Sequence, residues 1–334
     1  MTNYPAYQNV RTICVVGCGT IGASWCAWFL ARGFSVRAFD VDAGRRDTLT
    51  EYISRAWIVL QQISPGSGPV ADALARLSFH TDLQAALSGA DFVQENLPEK
   101  LDLKQDVLRR LDECLPVEIV IASSTSGIRA SLLQAGMATG AGRLVVGHPF
   151  NPPHLIPLVE VVGGEATGPE AVQWALGFYR FIGKVAVHVR KEVDGHLATR
   201  LQMALWREAV HLIESGVASV ADVDAAVVHG PGLRWAVIGP ALSFHLAGGP
   251  SGLAQQLSHF GPSIQRWWDD LGSPRLTGLL EDQLVRGVDE EIAGRTFEDL
   301  VAERDRALLQ VIRLRYSGES APQQQPTSNL GETP

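Results

Sequence analysis

VVGCGTIG, residues 15–22, closes a run of apolar β-formers and opens a helix-like stretch, Ile21 to Arg32. The spacing Gly17-x-Gly19-x-x-Gly22 gives each glycine a task at a strand-to-helix turn. Gly17 allows a tight turn, Gly19 lets a phosphate approach the backbone, and Gly22 lets helix and strand pack closely. The free N–H groups and positive dipole end of the helix, with Thr20 and Ile21 in its first turn, then suit a pyrophosphate. A second strand, SVRAF (Ser35 to Phe39), ends at Asp40, 18 residues beyond Gly22. An acid there can take both hydroxyls of an adenosine ribose and repels a 2′-phosphate, which selects NAD over NADP. Arg45 and Arg46 nearby read as first-turn helix surface.

Outward from this stretch, short strands alternate with longer helices, the βαβ order of a parallel sheet. Further strands are DFVQE (91–95), EIVIAS (118–123), RLVVGH (143–148), IPLVEVV (156–162) and KVAVHV (184–189). Residues 45–63, 101–113 and 169–181 read as the intervening helices, and SPGSGP (64–69) as an exposed turn. Beyond Val189 the pattern is helical, with breaks at Gly216, HGPG (229–232), AGGP (247–250) and Gly261-Pro262. The expected fold is therefore an α/β Rossmann, doubly wound sheet followed by an all-α C-terminal domain. Its expected limits are residues 1–190 and 191–316, with a disordered tail at 317–334 that has Leu330 as its one large apolar residue.

Composition narrows the function. The 28 Lys and Arg against 36 Asp and Glu leave a formal net charge of −8, which argues against nucleic acid or an anionic membrane as partner. Cys14, Cys18, Cys26 and Cys114 show neither CxxC spacing nor a metal-type pairing with histidine, so no metal is expected. They suit a reduced, cytoplasmic protein. The first residues lack a secretory apolar core, and no stretch approaches the length of apolar chain a membrane span needs.

HPFNPP (His148 to Pro153) follows a strand at the carboxyl edge where open α/β sheets place ligands, and Glu160 stands twelve residues on. A histidine with a carboxylate partner is what alcohol oxidation needs. One ring nitrogen takes the hydroxyl proton, while the carboxylate fixes the tautomer and offsets the imidazolium charge. On spacing alone, a structural histidine and a strand-edge glutamate account for the pair equally well.

Taken in order, the glycine fingerprint, SSTSG (123–127), HPFNPP and LVEVVGG (158–164) resemble the 3-hydroxyacyl-CoA dehydrogenase superfamily over nearly the whole length. The resemblance implies a Rossmann domain and a helical domain that builds a homodimer. It implies that His148 is the base, Glu160 its acidic partner, and Ser126 the donor to the substrate oxygen. It aligns Asn151 with the asparagine after the histidine, and Glu99 and Lys104 with residues near the nicotinamide ribose.

At the start of the helical domain the family has asparagine before Arg-Leu, where HLATRL carries Thr199 ahead of Arg200. The segment after Asp40 also looks shorter than in CoA-handling enzymes. QENLPEKLDLK, WREA (206–209) and GLRWAVIGP (232–240) resemble the branch that acts on free 3-hydroxy acids, carnitine or the sugar acid gulonate. The expected activity is NAD-dependent oxidation of the 3-hydroxyl of such a small molecule. Rivals are a hydroxyacyl-CoA dehydrogenase and a non-catalytic, crystallin-like structural protein, which would have no need of His148, Glu160 and Ser126 together. Trp235, with Trp206, Trp267 and Trp268, is a candidate for a quaternary-ammonium cage, although aromatics at helical spacing serve cores and interfaces far more often. Arg200, Arg207 and Arg234 are candidates for holding a substrate carboxylate.

Overall fold

In the computed structural model, which describes residues 4–316, the fingerprint sits where β1 (Thr12–Val16) enters α1 (Thr20–Ala31). The chain continues through β2 (Ser35–Phe39), α2 (Arg45–Ile63), α3 (Val70–Leu74), β3 (Leu77–His80), α4 (Leu83–Leu87) and β4 (Phe92–Glu95). Then come α5 (Leu101–Cys114), β5 (Ile121–Ser123), α6 (Ala130–Gln134), β6 (Leu144–Pro149), β7 (Leu158–Gly163), α7 (Pro169–Phe181) and β8 (Val185–His188). One sheet holds all eight strands in the order β3-β2-β1-β4-β5-β6-β7-β8. The order reverses between β1 and β4, and a crevice opens at such a switch point beyond the strands' carboxyl ends. The loops after Val16 and Glu95 meet there, because those two residues are register partners.

Two features depart from the expected sheet. β3 is an extra edge strand; LSFH has only half-buried residues, so it lacks the apolar run that marks the inner strands. β7 runs antiparallel to β6. Only residues 150–157 join them, too few for the helical crossover that a parallel pair requires. This hairpin sets His148 directly opposite Glu160 in the register.

The sheet is covered on both faces. Trp25, Phe29, Phe92, Phe178 and Tyr179 centre one buried cluster, and Val93, Leu108, Leu111, Ile121 and Leu133 the other. Strands buried on both sides read as continuous apolar runs, as β1 and β6 do.

The described residues divide into two compact units, 4–200 and 201–316. Residues 190–200 belong with the first. Glu192 accepts from the Ser131 N–H at 2.8 Å, Asp194 pairs with Arg129 at 2.8 Å, and Gly195 donates to the Gly127 carbonyl. The second unit is all helical: α8 (Ala198–Glu214) leads into it, followed by α9 (Val220–His229), α10 (Pro231–Trp235) and α11 (Pro240–Ala247). It ends with α12 (Gly252–Asp270), α13 (Gly278–Ile292) and α14 (Phe297–Tyr316). The break expected at Gly261-Pro262 is absent, because α12 runs through both residues. Pro262 forfeits one backbone hydrogen bond there without ending the helix. Among the described residues no helix is long and apolar enough to cross a membrane. The tail expected at 317–334 lies outside the described residues.

Candidate active site

The loop between β1 and α1 has the shape of a phosphate cradle. Gly17 has φ +88°, and a Cβ on it would meet the Asn96 carbonyl oxygen at 2.9 Å. A Cβ on Gly22 would overlap the Gly17 carbonyl oxygen at 1.8 Å, so helix and turn are in backbone contact. Over Gly19 a Cβ would meet nothing within 4 Å, which leaves the open side of the loop for a ligand. Gly19 is also the N-cap of α1 and supplies no side-chain acceptor, so the first-turn N–H groups at Thr20 and Ile21 lack a cap. Asp40 leaves the end of β2 beside the loop, and its Oδ2 accepts the Cys18 N–H at 2.9 Å. These residues fit a dinucleotide, with the pyrophosphate over Gly19 and the adenosine ribose at Asp40.

The β6–β7 hairpin builds the second part. His148 Nδ1 lies 2.9 Å from Glu160 Oε2, and both side chains are buried. The other oxygen, Oε1, accepts the N–H groups of Leu197 and Ala198, each at 2.8 Å, at the start of α8. Burial pushes the Glu160 carboxyl up, but the His148 hydrogen bond and the two N–H groups outweigh it and hold it below the usual range. An ionised carboxylate only accepts, so Nδ1 carries the hydrogen and Nε2 keeps its lone pair. Such an imidazole can receive a proton at Nε2 while its cationic form is already compensated.

A third part is assembled by carboxylates from β4 and the loop after it. Glu99 Oε1 accepts from the Thr125 hydroxyl and from the N–H groups of Ser126 and Gly127, both at 3.0 Å. Burial works against the Glu99 charge, yet the Thr125 hydroxyl, Lys104 and the two N–H groups hold the carboxyl below its ordinary value. The Ser126 hydroxyl makes no hydrogen bond among the described residues. Lys104, which the resemblance sets beside the nicotinamide ribose, is instead 1% exposed. Its ammonium donates to Glu95 at 2.9 Å and to the Leu97 carbonyl at 3.0 Å, with Glu99 at 3.6 Å. It therefore anchors the loop that carries Glu99 from behind.

Asn151 is exposed just past β6, at the cis Asn151–Pro152 bond. Thr199 and Arg200 lie in the first turn of α8, where the Arg200 guanidinium donates to the Asp194 carbonyl at 3.3 Å. Trp235 belongs to the second unit, as do Trp206, Trp267 and Trp268, and among the described residues no ring contact joins these four.

Three polar groups near the site have no role in the sequence reading, although Gln94 and Glu95 open QENLPEKLDLK and His196 opens HLATRL. Glu95 holds Lys104 and the Ser123 hydroxyl. Gln94 links the Tyr179 hydroxyl (2.6 Å) to that of Ser124 (2.9 Å) under the sheet. His196 is buried beside His148. Only the acid at an inner strand end, costly to bury alone, could have pointed to Glu95.

The chain is similar to known proteins over most of its length. The model of the 3-hydroxyacyl-CoA dehydrogenase NAD-binding domain matches residues 12–193, and that of the 3-hydroxyacyl-CoA dehydrogenase C-terminal domain matches 195–277. An L-carnitine dehydrogenase of Streptomyces griseus is 50% identical over 308 residues, 92% of this chain and 91% of the relative. One of Streptomyces coelicolor is 49% identical over 317 residues, 95% of this chain and 98% of the relative. Among solved structures, an NAD⁺-dependent dismutase, 5-formyl-3-hydroxy-2-methylpyridine 4-carboxylic acid 5-dehydrogenase, superposes with a TM-score of 0.79 at 32% identity. That match covers 93% of this chain and 100% of the other.

Proposed function

Because this chain belongs to the 3-hydroxyacyl-CoA dehydrogenase family and is an NAD-dependent oxidoreductase acting on a CH–OH group, we propose that it oxidises a free 3-hydroxy acid, L-carnitine, to the 3-keto acid. The observation that carries the chemistry is the His148–Glu160 pair with the N–H groups of Leu197 and Ala198 behind it. The choice of acid rests on the Streptomyces relatives, which are alike over more than nine-tenths of both chains.

His148 Nε2 takes the hydroxyl proton as the C3–H bond breaks. Bound NAD⁺ supplies the acceptor for the hydride that leaves C3. Glu160 holds the His148 tautomer beforehand and offsets the imidazolium afterwards, and the proton then passes to solvent. Ser126 donates its hydroxyl to the reacting oxygen, and Asn151 faces the same group. Gly17, Gly19, Thr20, Ile21 and Gly22 hold the pyrophosphate and Asp40 the adenosine ribose. Glu99 serves the nicotinamide end, steadied by Lys104. Thr199 and Arg200, in the first turn of α8, are assigned to the far end of the acid, and the helical unit to dimerisation.

We place the enzyme in the cytoplasm as a homodimer. Cys14, Cys18, Cys26 and Cys114 are all free thiols. Helices α10 and α11 bury no side chain, and Phe244, Phe260, Trp267 and Trp268 are exposed. A second copy of the chain would cover this surplus through a two-fold interface.

The test is NADH formation with L-carnitine, gulonate, 3-hydroxybutyrate and 3-hydroxybutyryl-CoA side by side. The highest kcat/KM is expected for L-carnitine. Turnover of the thioester with none of L-carnitine would overturn the assignment.

A further inference from the structure

His196 has no place in the chemistry described so far, yet it sits at the centre of the site's framework. It is 1% exposed, and its backbone φ is +49°, a left-handed conformation that residues with a Cβ enter only at a cost. Gly195 before it is also left-handed, at +74°. This turn delivers the N–H groups of Leu197 and Ala198 to Glu160. The His196 side chain reaches the other way, its Nε2 lying 3.0 Å from the Thr125 carbonyl oxygen. Its ring centroid is 5.3 Å from that of His148, at 46°. One turn thus touches the base, the carboxylate behind the base, and the loop that carries Ser126.

We propose that His196 is a positioning residue for hydride transfer: a neutral imidazole that ties the Thr125–Ser126 loop to the His148–Glu160 pair and fixes how base and serine meet the reacting oxygen. The proposal rests on the reading of His148 as base and Ser126 as hydroxyl donor.

A carbonyl only accepts, so His196 Nε2 carries a hydrogen, and in the neutral ring Nδ1 is an acceptor. Nδ1 is buried without a hydrogen-bond partner among the described residues. Protonating it would place an uncompensated N–H in the interior beside His148, which itself becomes cationic during oxidation. Burial opposes a charge on His196 most strongly, and His148 adds to that. The Thr125 carbonyl, Glu160 and Glu99 favour the charge but do not prevail, so His196 titrates below an ordinary histidine. A neutral ring lets His148 cycle through its charged form without a second cation in contact. Phenylalanine could fill the space but would leave the Thr125 carbonyl without its donor. Glutamine could supply the donor without the ring.

The test compares H196F and H196Q with the wild type on whichever acid the wild type oxidises. H196F should lose roughly 10-fold to 100-fold in kcat, the scale of a misplaced reacting group, with KM and the NAD⁺ dissociation constant within about 3-fold. H196Q should recover most of the rate. A kcat for H196F within about 2-fold of wild type overturns the proposal, and so do equal losses in two folded variants. Nitrogen-15 NMR of histidine-labelled wild-type protein supplies an arm that needs neither folding of H196F nor a known substrate. It should show His196 neutral, with its hydrogen on Nε2. The opposite tautomer, or titration at the ordinary histidine value, overturns the proposal. A wild type inert on every acid would sink the functional reading instead and leave the NMR arm to judge His196.

Discussion

The eight tryptophans divide evenly between the two units, and their surroundings do not. In the first unit Trp25, Trp28, Trp57 and Trp174 are at most 8% exposed; in the second, Trp206, Trp235, Trp267 and Trp268 are 39% to 65% exposed. The helices differ in the same way. In α1 ten of twelve residues are buried, whereas in α12, with nineteen, only Gly252 is. The sheet supplies two apolar faces for the helices of the first unit to pack against, but the second has only a small core around Val210, Ile213, Val223 and Leu284. Helices gain most of their stability from packing an apolar face, so the second unit is the one that calls for an additional surface. Four tryptophans are core in one region, and four are exposed in the other.

The largest expected effect lies in the first unit, where a few atoms carry the chemistry. Replacing His148 with Gln should lower turnover by roughly 10²-fold to 10⁴-fold, the worth of a positioned acid–base group, and leave NAD⁺ affinity unchanged. Steady-state rates with a parallel NAD⁺ titration check this. Near-normal turnover would move the base elsewhere, and lost cofactor binding would make His148 structural.

The two tryptophan sets should also answer differently to truncation. Trp25→Ala removes a ring stacked on Phe29 at 5.0 Å, together with the donor to the Ser124 hydroxyl. It should cost about 3–5 kcal/mol in denaturant melts. Trp268→Ala should cost within about 0.5 kcal/mol of unfolding free energy in the isolated chain. The double change Trp267→Asp and Trp268→Asp should instead act on association, shifting the sedimenting mass toward one chain. Unchanged mass in that variant would remove these residues from the interface.

Reading the sequence recovered the regions in proportion to how local their causes are. Strand, glycine turn, helix and second strand around Gly17–Gly22 are set by short-range rules, and α2 spans the expected residues 45–63. β3 was missed because an edge strand needs no continuous apolar run. The twelve-residue gap from His148 to Glu160 was visible, but not the antiparallel hairpin that makes them partners. The place of Lys104 near the nicotinamide ribose comes from the resemblance alone, and its buried pairing with Glu95, nine residues away on another element, is not encoded by any local pattern. His196 was passed over because nothing in GHLA announces a left-handed histidine. Each miss is a long-range pairing or a backbone conformation, neither of which periodicity encodes.

Acid offers the mildest separation of the two regions. In the first unit, Asp112, Glu99 and Glu160 have carboxyls held below their ordinary values. Burial opposes this in each case and is outweighed, by backbone N–H groups and Arg143 for Asp112 and by the partners already described for the other two. In the second unit the lowered carboxyls are Asp222 and Asp299, fully exposed caps that bond Ser219 and Thr296. A carboxyl whose folded pKa lies below its unfolded value of about 4 stabilises the fold above that pH, and the contribution fades as pH falls through the folded value. Glu160→Gln should therefore be less stable than wild type near neutrality, with the gap closing as the solution is acidified toward about pH 4 and below. Asp222→Asn, on an exposed cap open to solvent screening, should show a smaller gap throughout. Thermal melts across this range decide the matter. A Glu160→Gln gap that stays constant with pH would mean that the glutamine loses packing rather than charge, and the carboxylate would no longer be what the start of α8 is built to hold.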